Sequence, residues 1–321
     1  MRTGTKVWLV IAAALVLLGC ILFAGVMSKL NWDFTKLSTV QYETNTYEVS
    51  DAFDGISIDT DTADIVFALS GNGKCRVECH EEEKAKHFVA VEDNTLVIKM
   101  VNRKSWYEYI GVNFGSPKIT IYLPLTEYAS LLIDGDTSDV EIPKNFTFKD
   151  VHISLSTGVV YFGASASEKI KIKTSTGDIR VENISAGTLD LSVSTGKVTV
   201  SSVTCQGDVT VGVSTGKADL TDISCKSLTS SGNTGDISLV NVIAAERFSI
   251  ERSTGDVKFN SCDAAAIYVK TDTGDVNGTL LSDKVFITET DTGSINVPNS
   301  ITGGRCEITT DTGDIKMKVI S

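Results

Sequence analysis

Histidine, proline and basic side chains are all scarce in this chain of 321 residues, and each shortage closes off a class of function. Three histidines are present, His80, His87 and His152, and neither a nucleophile elbow nor a Walker or dinucleotide-binding loop accompanies them. Ser-His-Asp hydrolysis and nucleotide chemistry therefore lack their parts. Basic residues number 29 against 41 acidic ones, a formal charge of -12, so a nucleic-acid backbone or an anionic lipid surface would repel most of the molecule. Prolines number four, while glycines number 26 among abundant Val, Ile, Thr and Ser. That composition favours short strands joined by turns, and a hydrophobic content of 42% excludes wholesale disorder.

What is present begins with an apolar run of 21 residues, Val7 to Met27, that carries no charge and is long enough to span a bilayer core. Arg2 and Lys6 precede it, which puts the N-terminus in the cytoplasm and the rest outside. A cleaved signal peptide and a lipobox at Leu17-Leu18-Gly19-Cys20 are the competing readings. The run is long for a signal peptide, and it continues apolar from Ile21 to Met27, where a mature lipoprotein would turn polar. The expected organisation is a cytoplasmic N-terminus at 1–6, a transmembrane helix at 7–27, a tether at 28–50, an irregular β cap at 51–130 and a regular repeat region at 131–321.

A Thr-Gly dipeptide sets the repeat. Its glycines, Gly158, Gly177, Gly196, Gly216, Gly235, Gly255, Gly274, Gly293 and Gly313, are separated by 19 or 20 residues throughout. Apolar residues fall at +2, +4 and +7 from each glycine and again at -7 and -5 before the next, as in Val198, Val200 and Val203 followed by Val209 and Val211. Two strands per unit follow, and a unit this small buries its apolar face only by stacking on its neighbours. The fold class is an all-β parallel β-solenoid, with eight rung intervals spanning about 38 Å. Relatives of the unit occur at Asp136-Thr137-Ser138-Asp139-Val140 and at Asp59-Thr60-Asp61-Thr62-Ala63-Asp64-Ile65.

Phe53-Asp54-Gly55-Ile56-Ser57-Ile58, the Ile119-to-Pro124 strand leading into Leu131-Leu132-Ile133, and the serial Ser-Thr-Gly-Asp-Ile units carry a resemblance. The chain resembles the bacterial "putative adhesin" family of unknown function, which includes LiaG-like membrane-anchored envelope proteins, over about residues 50 to 321. The resemblance implies an envelope-exposed solenoid, associated in some members with envelope stress, and it supplies neither catalytic residues nor a cofactor.

Asp272-Thr273-Gly274, Asp291-Thr292-Gly293 and Asp311-Thr312-Gly313 match the aspartic-protease triplet. A protease needs two carboxylates converging across a cleft, whereas these stack along one edge of a rod. Ser156, Ser175, Ser194, Ser214, Asn233 and Ser253 hold the same place in other units, so turn chemistry accounts for the motif. The column of Asp272, Asp291 and Asp311, with Asp275 and Asp314 close by, is also the candidate for calcium, set against a solvated acidic edge. Cysteines 205, 225, 262 and 306 occupy small or apolar core places and read as buried thiols, with a vertical Cys205–Cys225 disulfide as the alternative.

Cys75, Cys79, His80 and His87 form the one zinc-like cluster, in no standard spacing, with Glu81 to Glu83 as a solvated run beside it. Trp106, Tyr107 and Tyr109 are the candidate contact surface. The expected protein is thus non-enzymatic and held in the membrane by its N-terminal helix. Its expected partners are an envelope protein, a cell-wall glycan, or a second copy paired at the edge of a last strand at Ile315 to Ile320. The alternative is a carbohydrate-binding or carbohydrate-cleaving β-helix.

Overall fold

A computed structural model describes residues 3–37, 40–104 and 115–320. Helix α1 (Thr3–Lys29) runs unbroken through Cys20, and Val7–Lys29 is long and apolar enough to cross a membrane. A single 21-stranded sheet follows, wound into a β-solenoid of about ten turns. Its N-terminal strands are β1 (Tyr42–Val49), β2 (Gly55–Thr60), β3 (Asp64–Leu69), β4 (Cys75–Glu82), β5 (Ala85–Glu92), β6 (Thr95–Asn102) and β7 (Lys118–Leu123). The middle holds β8 (Glu127–Thr137), β9 (Val140–Ile142), β10 (Thr147–Thr157), β11 (Val160–Phe162), β12 (Ser165–Thr176), β13 (Ile179–Cys205), β14 (Val209–Thr234) and β15 (Ile237–Thr254). The chain ends with β16 (Val257–Thr273), β17 (Val276–Leu280), β18 (Lys284–Thr292), β19 (Ile295–Asn296), β20 (Gly304–Thr312) and β21 (Ile315–Val319).

The inward residues are those the repeat assigns. Val198, Val200, Val203, Val209, Val211 and Val213 are all buried, and each such side chain contributes about 1.5–3 kcal/mol relative to exposure. Parallel pairing sets like on like: Leu189 meets Val209, Leu191 meets Val211, and Val198 meets Ala218. The bend between the +4 and +7 core positions has its own signature in five successive units. Asn183, Ser202, Asp222, Asn241 and Ser261, each six residues past a repeat glycine, adopt φ of 53 to 57°. Asn, Asp and Ser are short polar side chains, and Asn and Asp in particular tolerate this left-handed region and hydrogen-bond locally. The Asn241 amide donates to Asp222 Oδ1 on the neighbouring rung at 2.9 Å.

Three expectations change. The tether expected at 28–50 ends early, because residues 42–49 are β1, antiparallel to β4 from Tyr42↔Glu82 to Val49↔Cys75. Its polar composition suits an edge strand, while Tyr47 and Val49 pack on the core. The cap expected at 51–130 contains regular rungs: β2 lies parallel between β6 and β8, and β3 between β7 and β9. Rung order there departs from chain order, with 55–69 seated between 95–123 and 127–142. The end of the stack is finished by β4 and β5, which pair antiparallel with β7 and β6, and by β1, the polar edge strand laid on β4.

The third change is at the other end, where β20 and β21 sit directly on β16 and β17, and β18 and β19 lie beyond them. The strand expected to be last, Ile315 to Ile320, therefore pairs along β17 and is covered by β19 at Ile315 and Lys316. The open edge belongs to β18 and β19, and the acidic column runs in the order Asp272, Asp311, Asp291. The glycine spacing is the same for either order, so the sequence could not show it.

Candidate functional site

The turn edge is built by aspartates that follow a repeat glycine, or that follow Ala63 and Ser138 standing in its place. Asp64, Asp139 and Asp178 accept the backbone N–H of Asp139, Val159 and Lys197 on the next rung at 2.8–3.0 Å. Toward the C-terminus, Asp236 accepts from Asp256, Asp256 from Asp275, and Asp275 from Asp314, at 2.8–3.1 Å. Asp314 in turn accepts from Ser294 N at 2.8 Å and Ser294 Oγ at 2.9 Å. Each carboxylate thus satisfies a turn donor that the sharp bend leaves without a ladder partner. The role repeated from rung to rung is structural, and the recurring Gly-Asp dipeptide was the signal for it.

The Lys316 ammonium and the Ser294 donors hold the Asp314 carboxyl down at about 2, against about 3.9 for a free aspartate. A group depressed on folding contributes stability that is present above its unfolded value and is lost as pH falls through its folded one. The full-length protein is therefore expected to lose stability between about pH 4 and pH 2. Asp314→Asn, which keeps an acceptor oxygen but cannot titrate, should narrow the difference between urea midpoints at pH 6 and pH 2. An unchanged difference would remove Asp314 from the account.

Asp272, Asp291 and Asp311 stand exposed outside this ladder, each two residues before its glycine. Their carboxylates are not among the described groups whose ligand atoms converge. Trp106, Tyr107 and Tyr109 lie outside the described residues. The six cysteines of the solenoid are buried free thiols, Cys205 and Cys225 included. Burial pushes the thiols of Cys75, Cys79, Cys225 and Cys306 up to about 12, which makes them inert as nucleophiles.

A polar constellation is buried at the N-terminal end of the stack. Cys79 and Glu81 alternate on β4 and both face inward, as does His87 on β5, and none is more than 2% exposed. Glu81, expected in a solvated run, is instead the residue that organises this cluster. Its Oε2 lies 2.8 Å from His87 Nδ1 and accepts the His87 backbone N–H at 2.6 Å, while Oε1 accepts from Asn45 Nδ2 at 2.8 Å. His87 Nε2 lies 2.9 Å from Thr60 Oγ1. Burial pushes the Glu81 carboxyl up, but the donors from His87 and Asn45 outweigh it and hold it below its ordinary value. Of the zinc-like cluster read from the sequence, Cys79 and His87 come together. Cys75 lies four residues back on the same inward face, and His80 points outward, stacked on Tyr42 at 5.2 Å.

The flank of the rod is charged and mostly paired between or along rungs, as in Lys197–Asp219 at 2.6 Å and Lys217–Asp236 at 3.4 Å. Exposed pairs of this kind contribute only about 0–1 kcal/mol each. A shallow cleft of about 410 Å³ opens beside Tyr161, over which the Arg180 guanidinium sits at 5.1 Å, with Glu141, Lys144, Glu182 and Asn183 around it. At the far end the core is left open. Ile295 is in register with the buried Ile315 yet is 46% exposed, Ile301 is 90% exposed, and the outer edges of β18 and β19 have no strand partner among the described residues.

Stacked two-strand rungs, an antiparallel cap and a bilayer-length apolar helix define the class: a β-solenoid carrying a candidate membrane anchor. A family described as Toastrack DUF4097 matches residues 53–213 and 207–320, and the chain belongs to that family. Among solved structures it is similar to a "putative adhesin" from Bacteroides fragilis NCTC 9343, at 18% identity and a TM-score of 0.39, covering 87% of this chain and 97% of that one. It is also similar to a "Putative lipid binding protein" from Parabacteroides distasonis ATCC 8503, at 16% identity and a TM-score of 0.49, covering 88% and 98%. A "putative adhesin" from Parabacteroides merdae ATCC 43184 shares 12% identity at a TM-score of 0.35, covering 88% and 98%. No curated protein matches the chain.

Proposed function

We propose that the chain is a non-enzymatic, single-pass rod of a bacterial envelope, with its N-terminus in the cytoplasm and its solenoid outside, acting as an adhesive or stress-associated interaction module. The observation that carries this reading is the asymmetry of the rod. The end nearest the helix in sequence finishes in the polar antiparallel edge strand β1, while the far end presents the β18–β19 rung, its outer edge without a strand partner among the described residues and with Ile295 and Ile301 exposed. A free strand edge over an open apolar core is a surface that pairs with something else, either an envelope protein or a second copy at the same edge.

The test is mild cross-linking in intact envelopes followed by recovery of the full chain, with protease access from outside as the check on topology. Recovery of a membrane sensor or kinase supports a signalling accessory, and recovery of wall polymer alone supports wall binding. A solenoid protected from external protease overturns both. A second reading, glycan binding, is favoured by the exposed Tyr161 ring in its polar cleft. It expects binding to purified cell-wall glycan that falls with Tyr161→Ala or Trp106→Ala.

A further inference from the structure

The buried constellation of the cap is not used by the interaction reading, and its chemistry points elsewhere. The ligand atoms of Cys79, Glu81 and His87 all lie within 4.8 Å of one another. Thiol, imidazole and carboxylate are the three donor types that zinc takes, whereas calcium and magnesium prefer oxygen alone. We propose that Cys79 Sγ, Glu81 Oε2 and His87 Nδ1 form a zinc site that staples the N-terminal cap to the first rungs.

Two further features of the same residues fit this assignment. Metal-bound histidine usually gives its other nitrogen to an outer partner, and ligating carboxylates are held in the same way. Both outer contacts are in place: Thr60 Oγ1 stands 2.9 Å from His87 Nε2, and Asn45 Nδ2 donates to Glu81 Oε1 at 2.8 Å. The four elements thus joined are β1 through Asn45, β2 through Thr60, β4 through Cys79 and Glu81, and β5 through His87. The second feature is charge. Glu81 is wholly buried and its ion-pair partner is His87, which compensates it only when protonated and not as a neutral metal ligand, while the lysine of β5, Lys86, points outward to Glu43. A fully desolvated carboxylate calls for a compensating cation, which a divalent metal supplies. Binding would release the Cys79 proton, so that thiolate and carboxylate together neutralise the ion. The chemistry is coordination and proton release, with no redox step.

The test uses the detergent-solubilised full chain, stripped with a chelator and then titrated with Zn²⁺, with Co²⁺ as the spectroscopic substitute. About one zinc per chain is expected, with a thiolate-to-cobalt charge-transfer band. Cys79→Ser should abolish the band, and Cys75→Ser should leave it intact. Thr60→Val, which removes only the outer partner, should weaken metal binding by about 10–100-fold. A wild-type chain that shows neither bound zinc nor the cobalt band overturns the proposal, whatever the variants do. A band that persists in Cys79→Ser places the metal elsewhere and overturns it equally.

Discussion

Replacing Gly216 by alanine is expected to destabilise the solenoid by about 3 kcal/mol or more, read as a fall in the urea midpoint of the full-length protein. The backbone there has φ of 136°, and a Cβ added to it would lie 1.7 Å from the Gly196 carbonyl oxygen and 2.8 Å from its carbon. The obstruction is main chain, held in place by the parallel ladder of β13 and β14 on both sides of the turn, so it cannot swing away as a side-chain tip would. Gly212 supplies the contrast. It lies inside β14, and its added Cβ would meet nothing closer than Ser192 Oγ at 3.7 Å. Gly212→Ala should therefore leave the midpoint unchanged or raise it, with a gain in stability of about 0.4–1 kcal/mol, because only the unfolded chain loses freedom. Equal losses at the two positions would mean that the close stacking of the turns is not what fixes the glycine.

The same contact explains why the repeat was so legible. Where backbone meets backbone at every rung, no other residue fits, and the dipeptide recurs without exception from Gly158 to Gly313. The core columns were legible for a related reason, since a one-residue slip would turn Val198 and Val200 to water. Features that rest on compensation between distant residues were not legible. Arg252 occupies a core position three before Gly255 and is 2% exposed. It fits because Gly232, at the same position one rung earlier, leaves the space: a Cβ there would lie 1.8 Å from the guanidinium. The Arg252 head then donates to Val213 O at 3.3 Å and Ser230 Oγ at 3.0 Å.

Glu81 was hidden likewise. A Glu-Glu-Glu run reads as solvated until strand alternation and the partners Asn45 and His87, 36 and six residues away, are known. Strand β1 was missed because an edge strand with one wet face carries little apolar signal.

Rung order is the feature most open to direct test, because it reverses the expected ranking of two isoleucines. If the last units stacked in chain order, Ile295 would sit between two rungs and Ile315 would end the core. In the interleaved order Ile315 is fully buried between Val276 and Ile295, while Ile295 is 46% exposed at the open end. Ile315→Ala is therefore expected to cost about 2–5 kcal/mol, through lost transfer energy and the cavity left among fixed neighbours. Ile295→Ala should cost about 1 kcal/mol or less, since the site can relax toward solvent and part of the side chain is already hydrated. Urea midpoints of the two variants decide the matter, and a larger loss at Ile295 would restore the sequential order. The interleaving also gives the C-terminal strand a physical advantage. A first residue placed on the last rung would be half exposed, whereas Ile315 and Lys316, at the start of β21, are paired on both edges, so the start of β21 is held more firmly than its end.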